Sequence, residues 1–465
     1  MTNPNSAIIY HNHENTTFII DTPSSITLAQ QLSSSSTSNQ QTVKNKRPRI
    51  LVSSLPREQP YPNTEPKTES ARSKVLARSS LAEQRFHHEF IQPIVQTSLE
   101  AIRAGYQVDG SRPWCLDRHV PADDKRLPKD KSRKRKATDY DQDDESIPSI
   151  STKRPLILSS TSNTFDSISD LSGMVKNTAS ECASVKLSKE STAEYLIPPL
   201  STFVLCTLPL SEPEHLEEPI PGLPAQQKFN LLLFDPPWPN RSVRRSRDYQ
   251  THMYYDMNSL TQRLQDILQV HAYDPNTIEQ SLTPTTMHST SSQNSIAAIW
   301  ITNSEKARKA AYAALLNSGF RISEEWIWIK VTTSGEPISP LNGLWKKPYE
   351  ILVIGQRGTE KEKYQAVSEG DSLETDLLGV DPGSITRRVI AGVPDLHSRK
   401  PNLRWLFEQL FFAETESKIE CSPVNLASSY SALEVFARNL TAGWYACGNE
   451  VLKFNARECW VEEEE

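Results

Sequence analysis

A doubly wound α/β sheet is the fold class this sequence predicts, on three observations. Short apolar runs such as Leu231 to Phe234 and Ile296 to Ile301 end in polar residues, as buried parallel strands do. Stretches of helical periodicity alternate with them, the arrangement that places helices on both faces of a sheet. The first run also delivers Asp235 to the C-terminal edge, where open α/β sheets bind their ligands.

The elements follow in order from about Tyr195. Phe203 to Cys206 is the first expected strand and Leu231 to Phe234 the second. Residues 271–295 are polar and expected to be a loop. Ile296 to Ile301 is followed by a helix from Ser304 to Asn317, with Ser304 as N-cap and Gly319 as stop. Glu325 to Val331 and Glu350 to Gly355 are two further strands, and the acidic stretch 358–384 an insertion. Arg388 to Val393 is a strand, Pro401 to Phe412 a helix, and Ala432 to Phe436 and Val451 to Phe454 are the closing strands.

Composition limits the ordered part. The chain has 465 residues, 37 % of them apolar, against roughly 45–50 % in globular domains. The shortfall lies toward the N-terminus. Residues 1–75 are expected to be disordered, 76–120 a helical accessory segment, 121–190 a linker and 191–460 the folded domain. Phe86, Phe90, Ile91, Ile94, Val95 and Ile102 recur at helical spacing, with Pro93 expected to kink or split that helix.

The net charge of −6 excludes a generally basic nucleic-acid binder, so such contacts must come from local patches. Eight of the twelve residues 125–136 are Lys or Arg, a pattern of nuclear import or nucleic-acid tethering. The six cysteines form no C-x-x-C pair, which indicates neither a zinc site nor a disulfide framework and suits a reduced nuclear or cytosolic compartment. No apolar stretch approaches membrane-spanning length, and the N-terminus lacks the pattern of a secretory signal.

Asp235, Pro236, Pro237 and Trp238 carry the chemistry. A carboxylate and a proline carbonyl outside any ladder can each accept one N–H of an exocyclic amine, and an indole can stack on a base. Asn240, Arg241, Arg244, Arg245 and Arg247 follow on a loop suited to phosphate contacts. Lys346 and Lys347 open a second stretch, K-K-P-Y-E. His397 to Pro401 place Lys400 before a helix N-terminus, a receptor for a carboxylate. Arg438 and Asn439, then Asn449 and Glu450, supply groups able to bind ribose hydroxyls. No G-x-G-x-x-G or G-x-x-x-x-G-K-[ST] loop accompanies them.

DPPW, KKPYE, HSRKP, LEVFARN and GNEVLKF, in that order, resemble an MT-A70-type adenine N6-methyltransferase. I-P-P-L-S-T-F at Ile197 to Phe203 and the pattern D-P-P-W-x-N-x-S-V-x-R make the likeness greatest to the methyltransferase-like protein 4 branch. The resemblance implies a class I S-adenosylmethionine-dependent fold in permuted motif order, with the catalytic strand before the cofactor strand. It implies Asp235 and Pro236 at the target amine and Asp235 also at the methionine moiety. Lys400 is then at the methionine carboxylate, and Arg438, Asn439, Asn449 and Glu450 at the ribose and adenine. It further implies methyl transfer to adenine N6 in nucleic acid. A monomeric catalytic unit is expected, located in the nucleus, on the evidence of the basic run 125–136, and also in the cytosol. The expected substrate is RNA, in a 2′-O-methyladenosine context of small nuclear RNA, with DNA as the alternative. A silent scaffold is a rival that the intact DPPW opposes. An adaptor using only the basic stretches would leave the cofactor-side motifs unexplained.

Overall fold

The computed structural model describes residues 6–32, 49–62, 65–77, 80–106, 112–121, 154–160, 162–189, 193–211, 214–239, 256–273, 295–344, 346–357, 382–412 and 430–462. Its strands are β1 (Ile8–His11), β2 (Thr17–Ile20), β3 (Arg49–Leu51), β4 (Leu156–Ile157), β5 (Ser162–Phe165), β6 (Gly173–Lys176), β7 (Ala183–Leu187), β8 (Glu194–Ile197) and β9 (Thr202–Leu205). They continue as β10 (Leu231–Phe234), β11 (Ile296–Ile301), β12 (Phe320–Lys330), β13 (Tyr349–Arg357), β14 (Thr386–Gly392), β15 (Ala432–Val435), β16 (Tyr445–Gly448) and β17 (Trp460–Glu462). The helices are α1 (Thr22–Ala29), α2 (Glu69–Leu76), α3 (Leu81–Arg85), α4 (Gln92–Tyr106), α5 (Met257–His271), α6 (Glu305–Asn317) and α7 (Arg404–Phe407).

Among the described residues, twelve strands form one sheet in the order β1-β2-β14-β12-β13-β11-β10-β15-β16-β9-β6-β4. β10 is parallel to β11 on one side and to β15 on the other. β13 runs against both of its neighbours, β11 and β12. From β10 the chain passes to β11, and from β15 to β16, on opposite sides. The strand order therefore reverses between β10 and β15, the switch point where such sheets leave a crevice.

Period-two alternation builds two cores. Leu232, Phe234, Ile299, Val353 and Val435 face α4, α5 and α6. Leu231, Leu233, Ala298, Trp300 and Leu352 face α7 and the π-helical turn Glu408–Phe412. All four residues of β10 are buried, which is why an unbroken apolar run rather than an alternating one encodes it. Truncating one of them, Leu232 for example, should cost about 2–5 kcal/mol.

The expected strands β10 and β11 keep their bounds. Ser304 caps α6 in extended conformation, although its side chain makes no cap hydrogen bond, and Gly319 follows with φ +80. α5 was not among the expected elements; Asp256 caps it, accepting from the Ser259 N–H at 2.7 Å. Most of 271–295 and 358–384 lies outside the described residues.

Four expectations are corrected. Residues 1–75 are not wholly without structure: β2, fully buried, pairs in parallel with β14. Without β2 that side of β14 would be an unpaired edge, and the short T-F-I-I run covers it. Its polar surroundings hide it from a compositional reading. Residues 121–190 are not all linker: β6 pairs with β9, and β5, β7 and β8 form a small sheet. Val451 to Phe454 is not a strand. Val451, Leu452 and Phe454 are buried, but the backbone makes a tight turn at Lys453–Asn455, and β16 is the strand there. Pro93 does not split its helix; it follows the π-helical turn Phe86–Ile91, whose wider spacing accommodates it at the start of α4.

Candidate active site

Asp235 is the first residue beyond β10, and its N–H donates to the Val435 carbonyl at 3.2 Å, which fixes it against β15. Its Oδ1 accepts from Lys400 Nζ at 2.7 Å and its Oδ2 from Arg438 Nη1 at 3.4 Å. Lys400 lies on the loop after β14 and Arg438 on the loop after β15, so the two cations reach the carboxylate from either side of the switch point.

The pairing continues outward. Lys400 Nζ lies 3.2 Å from Glu350 Oε2, and Glu350 Oε1 accepts from Lys330 Nζ at 2.6 Å. Arg438 Nε lies 3.3 Å from Glu450 Oε2, and Glu450 Oε1 accepts from Lys453 Nζ at 3.0 Å. Charges thus alternate along Lys330, Glu350, Lys400, Asp235, Arg438, Glu450 and Lys453. Their side chains are 12–29 % exposed, so water screens the chain only in part.

These neighbours set the protonation states. Burial works against the charged form of Lys400, yet Asp235 and Glu350 hold its pKa above the ordinary lysine value. Burial would raise the Glu350 carboxyl, but Lys330 and Lys400 bring it well below the usual range. Glu434 goes the other way. Burial and the facing Asp235 push it up to about 8, against the pull of Arg438 and Lys400. It sits on β15 opposite Leu233.

Asp235, Trp300, Lys400, Glu434, Phe436, Arg438, Asn439 and Phe454 line one cleft open to solvent. Phe436, just past β15, adopts φ +61. Gly448 at the end of β16 has φ +143, and a Cβ there would come 3.2 Å from the Phe436 Cα. The positive φ and this close approach of the two loops both favour glycine.

The remaining site expectations fare unevenly. Pro236 is buried, and its carbonyl, expected outside any ladder, accepts the Trp238 N–H at 2.8 Å, leaving one lone pair. Trp238 does not offer a stacking face: it is 6 % exposed and its indole N–H donates to the Trp300 carbonyl at 2.7 Å. The short D-P-P-W turn folds it back under the sheet edge. Pro237 is half-buried beside it. Asn449 is exposed at the end of β16 and outside the cleft lining. Lys346 is exposed, whereas half-buried Lys347 donates to the Gly343 carbonyl at 3.2 Å, where burial lowers its pKa against Glu83 and Glu65. Asn240, Arg241, Arg244, Arg245 and Arg247, and the basic run 125–136, lie outside the described residues. Glu350, Glu434 and Lys330 were not assigned roles from sequence; a carboxylate inside an otherwise apolar strand was the available signal for the first two.

A switch-point cleft on this sheet, with its carboxylate following the central strand, defines the S-adenosylmethionine-dependent methyltransferase class of fold, in permuted order because β10 precedes β15. Residues 229–450 match the MT-A70 family model. The chain is 37 % identical over 243 residues to the N6-methyladenosine RNA methyltransferase MTA1 of Cryphonectria parasitica, covering 50 % of this chain and 55 % of that one. It is 30 % identical over 264 residues to the N(6)-adenine-specific methyltransferase METTL4 of Homo sapiens, covering 56 % and 44 %. With the DNA N6-methyl methyltransferase of Caenorhabditis elegans the figures are 24 % over 312 residues, 66 % and 67 %. The chain spans about half the length of the first two.

Proposed function

We propose that this protein transfers a methyl group from S-adenosylmethionine to the N6 amine of adenine in nucleic acid, with RNA as substrate. The observation that carries the reading is Asp235 at the switch point, clamped between Lys400 and Arg438 inside the cleft.

The donor set fits the cofactor. An ammonium and a carboxylate 2.7 Å apart, Lys400 and Asp235, complement the α-carboxylate and α-ammonium of a methionine moiety. Arg438, Asn439 and Glu450 would reach its ribose and adenine, with Asn449 at the rim. The bound cofactor supplies a methyl group on a sulfonium that is already an activated leaving group. Asp235 retains acceptor sites beyond the two its cations use, and Pro236 retains one lone pair. Together they accept the two N–H bonds of the target amine, draw its nitrogen toward tetrahedral geometry and free the lone pair for in-line attack. The proton the amine sheds passes to Asp235 and on to solvent. Positioning supplies most of the rate enhancement. The target base must leave its stack or come from a single strand.

RNA is favoured over DNA because the relatives named for RNA carry the higher identity. A 2′-O-methyladenosine in small nuclear RNA is the context the motif resemblance supports. The full chain, given labelled cofactor and matched RNA and DNA oligonucleotides with and without a 2′-O-methyl on the target, tests this. The reading requires label on RNA adenine N6 and a loss of more than about a hundredfold in turnover for Asp235→Asn with the fold retained. Undiminished turnover in that variant would sink it, and transfer to DNA alone would move the substrate assignment.

Arg241, Arg244, Arg245 and Arg247 are proposed to contact the substrate backbone. Replacing two by alanine should flatten the salt dependence of nucleic-acid binding by about one unit per lost phosphate contact and spare cofactor affinity. An unchanged slope with collapsed cofactor affinity would reverse the assignment. Nuclear localisation through 125–136, and a monomeric catalytic unit, complete the proposal. A tagged variant lacking 125–136 that still concentrates in nuclei, or a dimer mass in sedimentation, would remove the respective part.

A further inference from the structure

We propose that the N-terminal segments around Ser54 and Arg118 are a positioning device for Lys400, acting through the buried side chains of Asp395 and Arg399. The inference rests on Lys400 receiving the carboxylate of the cofactor as proposed above.

Lys400 is carried by the loop between β14 and α7. Two residues before it, Ser398 has φ +72, a left-handed conformation costly for any residue with a side chain. Such a backbone persists only where its surroundings over-determine it. Within the loop the Arg399 N–H donates to the Leu396 carbonyl at 3.1 Å. The remaining restraint comes from residues several hundred positions away in sequence. Asp395 Oδ1 accepts from the Ser54 N–H at 2.7 Å and the Ser54 hydroxyl at 3.0 Å. Its Oδ2 accepts from Arg399 Nη1 at 2.8 Å, and the same nitrogen donates to the Val52 carbonyl at 2.7 Å. Arg118 donates to the carbonyls of Val393 at 2.8 Å and Pro394 at 3.0 Å. Ser53 N–H to His119 O, at 2.9 Å, ties the two N-terminal pieces to each other.

The cluster is sealed. The side chains of Asp395 and Arg399 are 0 % exposed and that of Arg118 is 1 %. In such an environment the hydrogen bonds that are made are costly to lose; Arg118 Nε and Arg399 Nε and Nη2 are buried without a hydrogen-bond partner among the described residues. Arg399 and Lys400 are consecutive yet point to different partners. One reaches Val52 and Asp395 while the other reaches Asp235 and Glu350. A rotation of the loop that released Arg399 would therefore withdraw Lys400 from the cleft.

Calorimetry on the full chain with two ligands tests this. S-adenosylhomocysteine carries the amino-acid carboxylate; 5′-methylthioadenosine has the same adenine and ribose without it. Asp395→Asn, which keeps shape and removes charge, should weaken S-adenosylhomocysteine about tenfold. It should leave 5′-methylthioadenosine within about twofold, the size of a minor uncoupled change. In a Lys400→Met background the same substitution should then have no further effect. If Asp395→Asn does not fold, Arg118→Lys, which loses part of the fork to Val393 and Pro394, takes its place in the same design. Equal weakening of both ligands, or of neither, overturns the proposal while leaving the methyltransferase reading intact. Failure of the unmodified chain to bind S-adenosylhomocysteine overturns both.

Discussion

Tyr349 and Glu350 are consecutive on β13, and period two sends them into different polar networks on opposite faces of the sheet. Tyr349 Oη lies 2.8 Å from His87 Nδ1; His87 Nε2 lies 2.9 Å from Glu83 Oε1, and Glu83 Oε2 accepts from Arg308 Nη2 at 2.9 Å. That network is sealed beneath α3, and the Arg308 guanidinium stacks 3.5 Å from the Phe86 ring. Burial there lowers the pKa of His87 despite Glu83 and raises the Tyr349 hydroxyl, so both stay neutral near pH 7. Glu350 on the other face joins the string of partly exposed charges that runs through Lys400 to Asp235 in the cleft. The difference teaches where function can sit. The first network docks the accessory helix; the second is the partly exposed pairing around Asp235 on which the proposed cofactor site rests.

Several experiments would break or sharpen that contrast. The largest effect is expected from Glu83→Ala. It leaves Arg308 buried without its carboxylate, which should cost about 3–5 kcal/mol in denaturant unfolding. A loss below about 1 kcal/mol, the range of exposed pairs, would show that the network is not sealed in solution. Glu350→Gln should cost less stability, since its partners reach water, but should weaken cofactor binding several-fold by loosening Lys400. Equal binding by calorimetry would place Glu350 outside the site's electrostatics.

Glu350 and Glu434, both only partly buried, should also act in opposite pH ranges. Glu350 is held below its ordinary value of 4.5, so its contribution to stability is present above that value and lost as pH falls. Glu434 is raised from 4.5 to about 8. The folded state binds its proton more tightly, so its contribution is full below about 4.5 and lost as pH rises to about 8. Glu434→Gln should therefore flatten the alkaline limb of unfolding stability between pH 5 and about 9 and leave the acid limb unchanged. This is the smallest of the three effects. An unaltered alkaline limb would show that Glu434 is ionised at neutral pH.

The sequence alone determined the sheet's central strands and the position of Asp235. Leu231 to Phe234 is apolar on both faces, and only a doubly covered strand buries such a run. It also supplied Lys400 and Arg438 as candidates, because their motifs follow predicted strands in register with the family pattern. It could not show that Lys400 and Arg438 meet on one carboxylate, since the loops that bring them together lie 38 residues apart. Nor could it show Trp238 folded inward, a consequence of the Trp300 carbonyl lying beside it. The N-terminal strands were decided by tertiary structure for the same reason. β1, β2 and β6 are too short and too polar in their surroundings to be read locally, and are stabilised by sheet edges formed elsewhere in the chain. Local periodicity reports which face a residue buries. Which distant element covers that face is decided only when the sheet assembles.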